Sequence, residues 1–132
     1  MKKFLSCLSL LVLVFGVFCV VHAGDDDLDV DNKNFKIVFI GDSNVGKTSI
    51  IRNMLGLGFQ SYCEATIGAG FTNQIPVEYC GEQFKCNVWD TAGMERFRSL
   101  IPHYFREADI AILVCSIDDK YSIENIDKWV DL

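Results

Sequence analysis

The stretch Gly41-Asp-Ser-Asn-Val-Gly-Lys-Thr-Ser49 holds, at one spacing, the residue types a polyphosphate site needs. Gly41 and Gly46 bracket the loop, and without side chains they let backbone N–H groups turn inward onto phosphate oxygens. Lys47 adds a compact positive charge, suited to the β- and γ-phosphates, and the Thr48 hydroxyl suits a Mg²⁺ ion. Asp42, Ser43, Asn44, Val45 and Ser49 complete the candidate binding loop. An apolar run, Phe35-Lys-Ile-Val-Phe-Ile40, precedes it, and Ile50, Ile51, Met54 and Leu55 follow at helical spacing. Strand, glycine loop, helix is the context in which GxxxxGK[ST] becomes a phosphate cradle, since the helix brings the positive end of its dipole. The alternative, a plain glycine-rich turn, does not account for flanks of the right kind on both sides. The chemistry points to a nucleoside triphosphate.

Elements that could position this loop can be read along the rest of the chain. Gly56 and Gly58 end the helical pattern, and an irregular polar stretch leads to Glu64-Ala-Thr-Ile-Gly68. Phe71–Tyr79 and Phe84–Trp89 read as a hairpin turning at Cys80–Gln83, with Pro76 marking its strand as an edge strand. Asp90-Thr-Ala-Gly93 follows the second strand directly. A helix is expected over about Ser99–Glu107 with Pro102 in its first turn. Ile110-Ala-Ile-Leu-Val-Cys115 is continuously apolar, as in a strand covered on both faces. Ser122 is the expected cap of a last helix, with Ile123, Ile126 and Val130 on one face. Strands alternating with helices predict an α/β fold with a mostly parallel sheet and flanking helices.

The 132 residues suggest one folded domain, and the net charge of −6 argues against a nucleic-acid binder. Part of the acidity is the run Asp25, Asp26, Asp27, Asp29 and Asp31, read as a solvated linker over residues 24–34. Before it, Lys2 and Lys3, the apolar run Phe4–Val21 and the small residues of Val21-His22-Ala23 have the order of a secretory signal peptide. Residues 1–23 are therefore expected to stand outside the fold, which would occupy residues 35–132. Three readings stay open for this leader: a cleaved signal, an uncleaved anchor, or an exon wrongly joined to a cytosolic protein. Charge before and after the run keeps the N-terminus cytoplasmic, so a genuine leader places the phosphate site across the membrane. Among the cysteines, Cys115 reads as a buried small hydrophobe, and Cys80 and Cys86 could pair if the hairpin register sets them opposite. Cys63 has no assigned partner. His22 and His103 are isolated, and no zinc spacing or Ser/His or Cys/His pairing stands out.

GDSNVGKTS, then ATIG, then WDTAGMERFRSLIP, taken in order, resemble a Rab-type small GTPase of the Ras superfamily, and RFRSLIP is most similar to its Golgi-trafficking branch. The resemblance covers Phe35 to Leu132 and implies the P-loop NTPase fold. It also implies GTP or GDP with Mg²⁺ as cofactors and the following roles. Thr66 matches the switch threonine that completes the Mg²⁺ shell, and Asp90 the residue that holds a Mg²⁺-bound water. Gly93 matches the backbone N–H that senses the γ-phosphate, and Phe59 stands where the family places an aromatic ring against the guanine. Its alternative is an ordinary loop-anchoring aromatic. Phe71, Trp89 and Tyr104 match the aromatic triad touched by Rab effectors, although strand packing explains Trp89 as well. Effectors, exchange factors and activating proteins are the implied partners of a monomer, through the two nucleotide-sensing loops.

Three departures shape the functional expectation. The family's glutamine after DTAG is Met94, whose thioether cannot orient a water for in-line attack, so hydrolysis should be weak or absent. The sequence in hand ends at Leu132 before an [NT]KxD motif, which predicts poor base discrimination, an incomplete sheet and an open edge at Ile110–Cys115. A prenylation motif is likewise not in this stretch, leaving the leader as the candidate for membrane association. The leading expectation is a GTP-binding switch in vesicle trafficking. It would sit on the endomembrane system: inside the secretory pathway if the leader is genuine, otherwise on the cytosolic face of Golgi or vesicle membranes. The alternative is a non-enzymatic remnant that binds partners without specific nucleotide recognition. A different P-loop NTPase fits the DTAG and TIG spacing poorly.

Overall fold

Ile37–Ile40 is apolar at both odd and even positions, so a strand made from it must be covered on both faces. A computed structural model, which describes residues 10–14, 17–23, 34–79 and 81–132, shows this arrangement. Strand β3 (Asn34–Ile40) lies inside a six-stranded sheet of order β1-β2-β6-β3-β5-β4. Its Ile37 and Phe39 pack with Val45, with Ile51 of helix α1 (Lys47–Met54), and with Val88 and Val114. Its Val38 and Ile40 pack on the other face with Ile101, Leu113 and Trp129. Phe39 is 1% exposed, and truncating such a side chain to Ala costs about 3–5 kcal/mol.

The central strands β3, β5 (Glu82–Thr91) and β6 (Ile110–Ser116) run parallel, and the outer strands pair antiparallel. Strand β4 (Ala69–Tyr79) forms the expected hairpin with β5 and is the edge strand that Pro76 requires. A bulge between Thr72 and Ile75 is spanned by Gln74, whose φ is 55° and whose N–H donates to Asn87 Oδ1 at 3.1 Å. The register sets Ile75, not Cys80, opposite Cys86; Cys86 is buried and carries no disulfide, and Cys80 lies outside the described residues. After a 3-10 turn at Glu95–Leu100 comes α2 (Ile101–Phe105), with Pro102 in its first turn as expected.

Two expectations are corrected here. The edge expected to be open at Ile110–Cys115 is paired. Strand β2 (Val17–Ala23) runs antiparallel along it, Val17 against Ser116 to Ala23 against Ile110, and β1 (Leu10–Val14) pairs outside β2. The sheet expected to be incomplete thus gains two strands from the apolar N-terminal run, whose β-branched residues suit a ladder. The last helix is also different. It breaks at Asn125 into α3 (Lys120–Glu124) and α4 (Ile126–Val130), and Asp119, not Ser122, caps it through Oδ1 and the Tyr121 N–H at 3.0 Å. Ser122 is buried, donating to the Asp119 carbonyl at 2.8 Å and accepting from the Ser116 N–H at 3.0 Å. Ile123 and Val130 are exposed while Trp129 fills the core, because its larger apolar body outweighs the isoleucine spacing. Among the described residues no helix is long and apolar enough to cross a membrane.

Candidate functional site

The loop at the end of β3 needs backbone that most residues resist. Gly41 has φ 135°, and a Cβ there would stand 2.1 Å from the Val114 carbonyl oxygen of β6. Asn44 (φ 65°) and Gly46 (φ 99°) also sit at positive φ, where glycine and asparagine are tolerated. Val45, between them, is buried in the core and anchors the loop, while Ser43 and Asn44 face solvent. Helix α1 then starts at Lys47 with no side chain capping its N-terminus, the arrangement that offers backbone N–H groups to an anion. The Lys47 Nζ donates to the Gly41 carbonyl at 2.9 Å and the Asp42 carbonyl at 2.6 Å, arched over the loop. Burial lowers the Lys47 pKa from 10.5 to about 8, against the opposing pull of the Asp90 and Asp42 carboxylates.

A second set of groups converges beside it. Thr48 Oγ1, in the first turn of α1, donates to Asp90 Oδ2 at 2.6 Å. Thr66, from the loop before β4, places its Oγ1 3.4 Å from the same oxygen and 3.3 Å from Thr48 Oγ1. Asp90 Oδ1 is buried without a hydrogen-bond partner. Burial raises the Asp90 pKa, opposed by the Thr48 hydrogen bond, the Lys47 charge and the Thr66 hydrogen bond. Two hydroxyls and a carboxylate are hard oxygen donors, and an orphaned carboxylate oxygen among them is what a Mg²⁺ shell would satisfy. The residues present fit that ion. Among the described residues there is no cluster of three His, Cys, Asp or Glu that would suit a softer metal.

Contacts that the sequence did not announce hold these pieces in place. Thr91, fully buried, donates from Oγ1 to the Phe39 carbonyl at 2.6 Å and ties the end of β5 to the end of β3. The Ala92 N–H donates to the Gly68 carbonyl at 2.8 Å, joining the Asp90–Gly93 segment to the Thr66 loop. Gly93 lies so close to the glycine loop that a Cβ would fall 2.4 Å from the Asp42 carbonyl and the Ser43 nitrogen. Thr91 could have been suspected, since a polar residue beside Asp90 at the buried end of a parallel strand needs an internal partner.

The remaining candidates are placed as follows. Met94 is half-buried just after Gly93, and its carbonyl accepts from the Phe97 N–H at 2.9 Å. Phe59 is 80% exposed on the loop after α1, outside the cluster around Lys47. Phe71 and Trp89 face each other across the β4–β5 ladder with ring centroids 4.7 Å apart, and Tyr104 adds a third ring 5.4 Å from Trp89. Lys36 Nζ stands 5.5 Å over the Trp89 ring and donates to the Arg106 carbonyl. Phe71 is half exposed and presents this aromatic group to solvent.

A sequence model of the Ras family matches residues 36–132. The mouse (Mus musculus) Ras-related protein Rab-33A is 42% identical over 109 residues, which cover 80% of this chain and 46% of that protein. The chain thus spans about half the length of this relative.

Proposed function

This chain belongs to the Ras family, as a Rab-type small GTPase, and on that premise we propose that it acts as a guanine-nucleotide switch in vesicle trafficking. The observation that carries the reading is the convergence of Thr48, Thr66 and Asp90 beside the Lys47-spanned loop, with one Asp90 oxygen left unpartnered. In this role the backbone of Gly41–Thr48 and the Lys47 ammonium hold the phosphates of GTP or GDP. Thr48 and Thr66, with Asp90 through a water, hold Mg²⁺, which when bound neutralises phosphate charge. The Gly93 N–H reads the γ-phosphate, and Phe59 covers the guanine. Loss of the γ-phosphate frees the Thr66 and Gly93 segments together, because the Ala92–Gly68 hydrogen bond couples them. Met94 orients no water, so hydrolysis is slow.

The Phe71–Trp89–Tyr104 group, with Phe71 half exposed and the other two rings partly buried behind it, supports effector binding at that face, with exchange and activating proteins at the two coupled segments. We place the protein on endomembranes, as a monomer. The pairing of β2 with β6 favours the cytosolic face, because an apolar run used in the sheet is not spanning a bilayer. Titration of the full chain with a fluorescent GDP analogue, with Mg²⁺ and then with a chelator, tests the reading. Binding should weaken at least about tenfold on chelation and be lost in Lys47→Ala, since phosphate and metal share the site. Unchanged binding by Lys47→Ala would sink it.

A further inference from the structure

Asp42 is a negatively charged side chain in a loop built for anions, and the structure turns its carboxylate onto the far end of the chain. Asn125 Nδ2 donates to Asp42 Oδ2 at 2.7 Å, and Trp129 Nε1 donates to Asp42 Oδ1 at 2.8 Å. Asn125 is itself oriented, because its Oδ1 accepts from Lys128 Nζ at 2.6 Å and its backbone forms the junction of α3 and α4. Trp129 is 2% exposed and wedged against Val38, Ile40, Ile101 and Leu113, so its indole N–H cannot swing away. The same Asp42 offers its backbone carbonyl to Lys47 Nζ at 2.6 Å. One residue therefore carries a rigid helix on its side chain and the phosphate-binding lysine on its main chain.

We propose that Asn125 and Trp129 are positioning residues of the nucleotide site, clamping Asp42 so that its carbonyl holds Lys47 in place and its carboxylate stays off the phosphates. The clamp uses neutral donors, one on each carboxylate oxygen. A hydrogen bond to a charged group in this half-buried setting is strong enough to fix the loop. The proposal rests on the nucleotide-site reading above, and it adds residues that touch neither phosphate nor metal.

The test uses the full chain, wild type and carrying Asn125→Ala, Trp129→Phe or Ile101→Val, loaded with the fluorescent GDP analogue. Ile101→Val trims the same core beside Trp129 but removes no contact to Asp42. Release should be about tenfold faster in Asn125→Ala and Trp129→Phe, the worth of one hydrogen bond to a charged group. Release from Ile101→Val should match wild type even where its thermal midpoint falls as far. In parallel, Asp42→Asn should shift the indole N–H resonance that is missing from the Trp129→Phe spectrum. If the two clamp variants release no faster than Ile101→Val, or the indole signal ignores Asp42→Asn, the clamp is wrong while the nucleotide site stands. A wild-type chain that retains no analogue overturns the underlying reading, and the clamp with it.

Discussion

Replacing Gly93 by Ala puts a single methyl where the structure has no room for one. Its Cβ would lie 2.4 Å from the carbon and oxygen of the Asp42 carbonyl and from the Ser43 nitrogen. Backbone atoms cannot rotate aside, so a gap of about 1 Å must open before the contact becomes an ordinary one. Asp42 is the less yielding side, gripped by Asn125, Trp129 and Lys47. The Asp90–Gly93 segment must therefore withdraw and take the Gly93 N–H away from its proposed place at the γ-phosphate. A hydrogen bond to a charged group contributes about 1.5–3 kcal/mol, which corresponds to about a tenfold to hundredfold loss of affinity. That loss should fall on the triphosphate and spare the diphosphate. The assay is competition of GTP and GDP against the fluorescent analogue, with Gly70→Ala as control, since a Cβ there meets its nearest atoms at 3.7 Å. If Gly93→Ala keeps the wild-type ratio of GTP to GDP affinity, the Gly93 N–H does not read the γ-phosphate and the steric argument fails.

Other perturbations have outcomes fixed by the same geometry. Because burial lowers the Lys47 pKa from 10.5 to about 8, analogue affinity measured in chelator should fall about tenfold between pH 7 and 9, with the nucleotide's own titration subtracted. Over the window from about 8 to 10.5 the ligand-free chain should instead gain stability, since the unfolded state there holds the proton that the folded lysine has released. Thr91→Val keeps the shape but removes the donor to the Phe39 carbonyl, and should cost about 1–2 kcal/mol, read as a lower midpoint in thermal unfolding. Met94→Gln should raise single-turnover GTP hydrolysis about tenfold or more, given the water-positioning role of glutamine. Equal rates would assign the water to another residue.

What could be read in advance follows from which interactions are local. Gly41, Gly46, Lys47 and Thr48 are legible because a strand–loop–helix unit makes the cradle out of neighbours, and glycine at positive φ is a backbone requirement visible in one dimension. The hairpin and Pro76 at its edge are legible for the same reason. The tie from Thr91 to Phe39 spans 52 positions and that from Trp129 to Asp42 spans 87, so neither leaves a spacing to recognise. The last helix misled because Ile123, Ile126 and Val130 satisfy helical periodicity, yet the chain breaks at Asn125 and buries Trp129 instead. Periodicity counts apolar positions equally, whereas the core selects by volume and by whether an indole N–H finds a partner. The pairing of β2 with β6 was hidden because an apolar run before an acidic one satisfies a targeting signal and an edge strand equally well.

The site is also where the fold gives up stability. Lys47 is held below its ordinary pKa and Asp90 above its own, both chiefly by burial, so each charge at neutral pH is opposed by its surroundings even though the two attract. Asp90 Oδ1 adds a buried acceptor without a donor. Each of these costs would diminish if, as proposed, a polyphosphate surrounded Lys47 and a cation surrounded Asp90, whereas the Ile37–Phe39 and Val38–Ile40 packing lies away from both groups. Under the proposed function, ligand binding and folding are therefore linked at these residues in particular, and the ligand would stabilise by an amount that grows with the logarithm of its concentration over Kd. The stabilisation reaches both loops at once, because Thr48 and Thr66 meet on Asp90 while Ala92 bonds to Gly68. A ligand that satisfied Lys47 alone would leave Asp90 Oδ1 buried without a partner, which is why the metal and the phosphates are expected to bind as a unit.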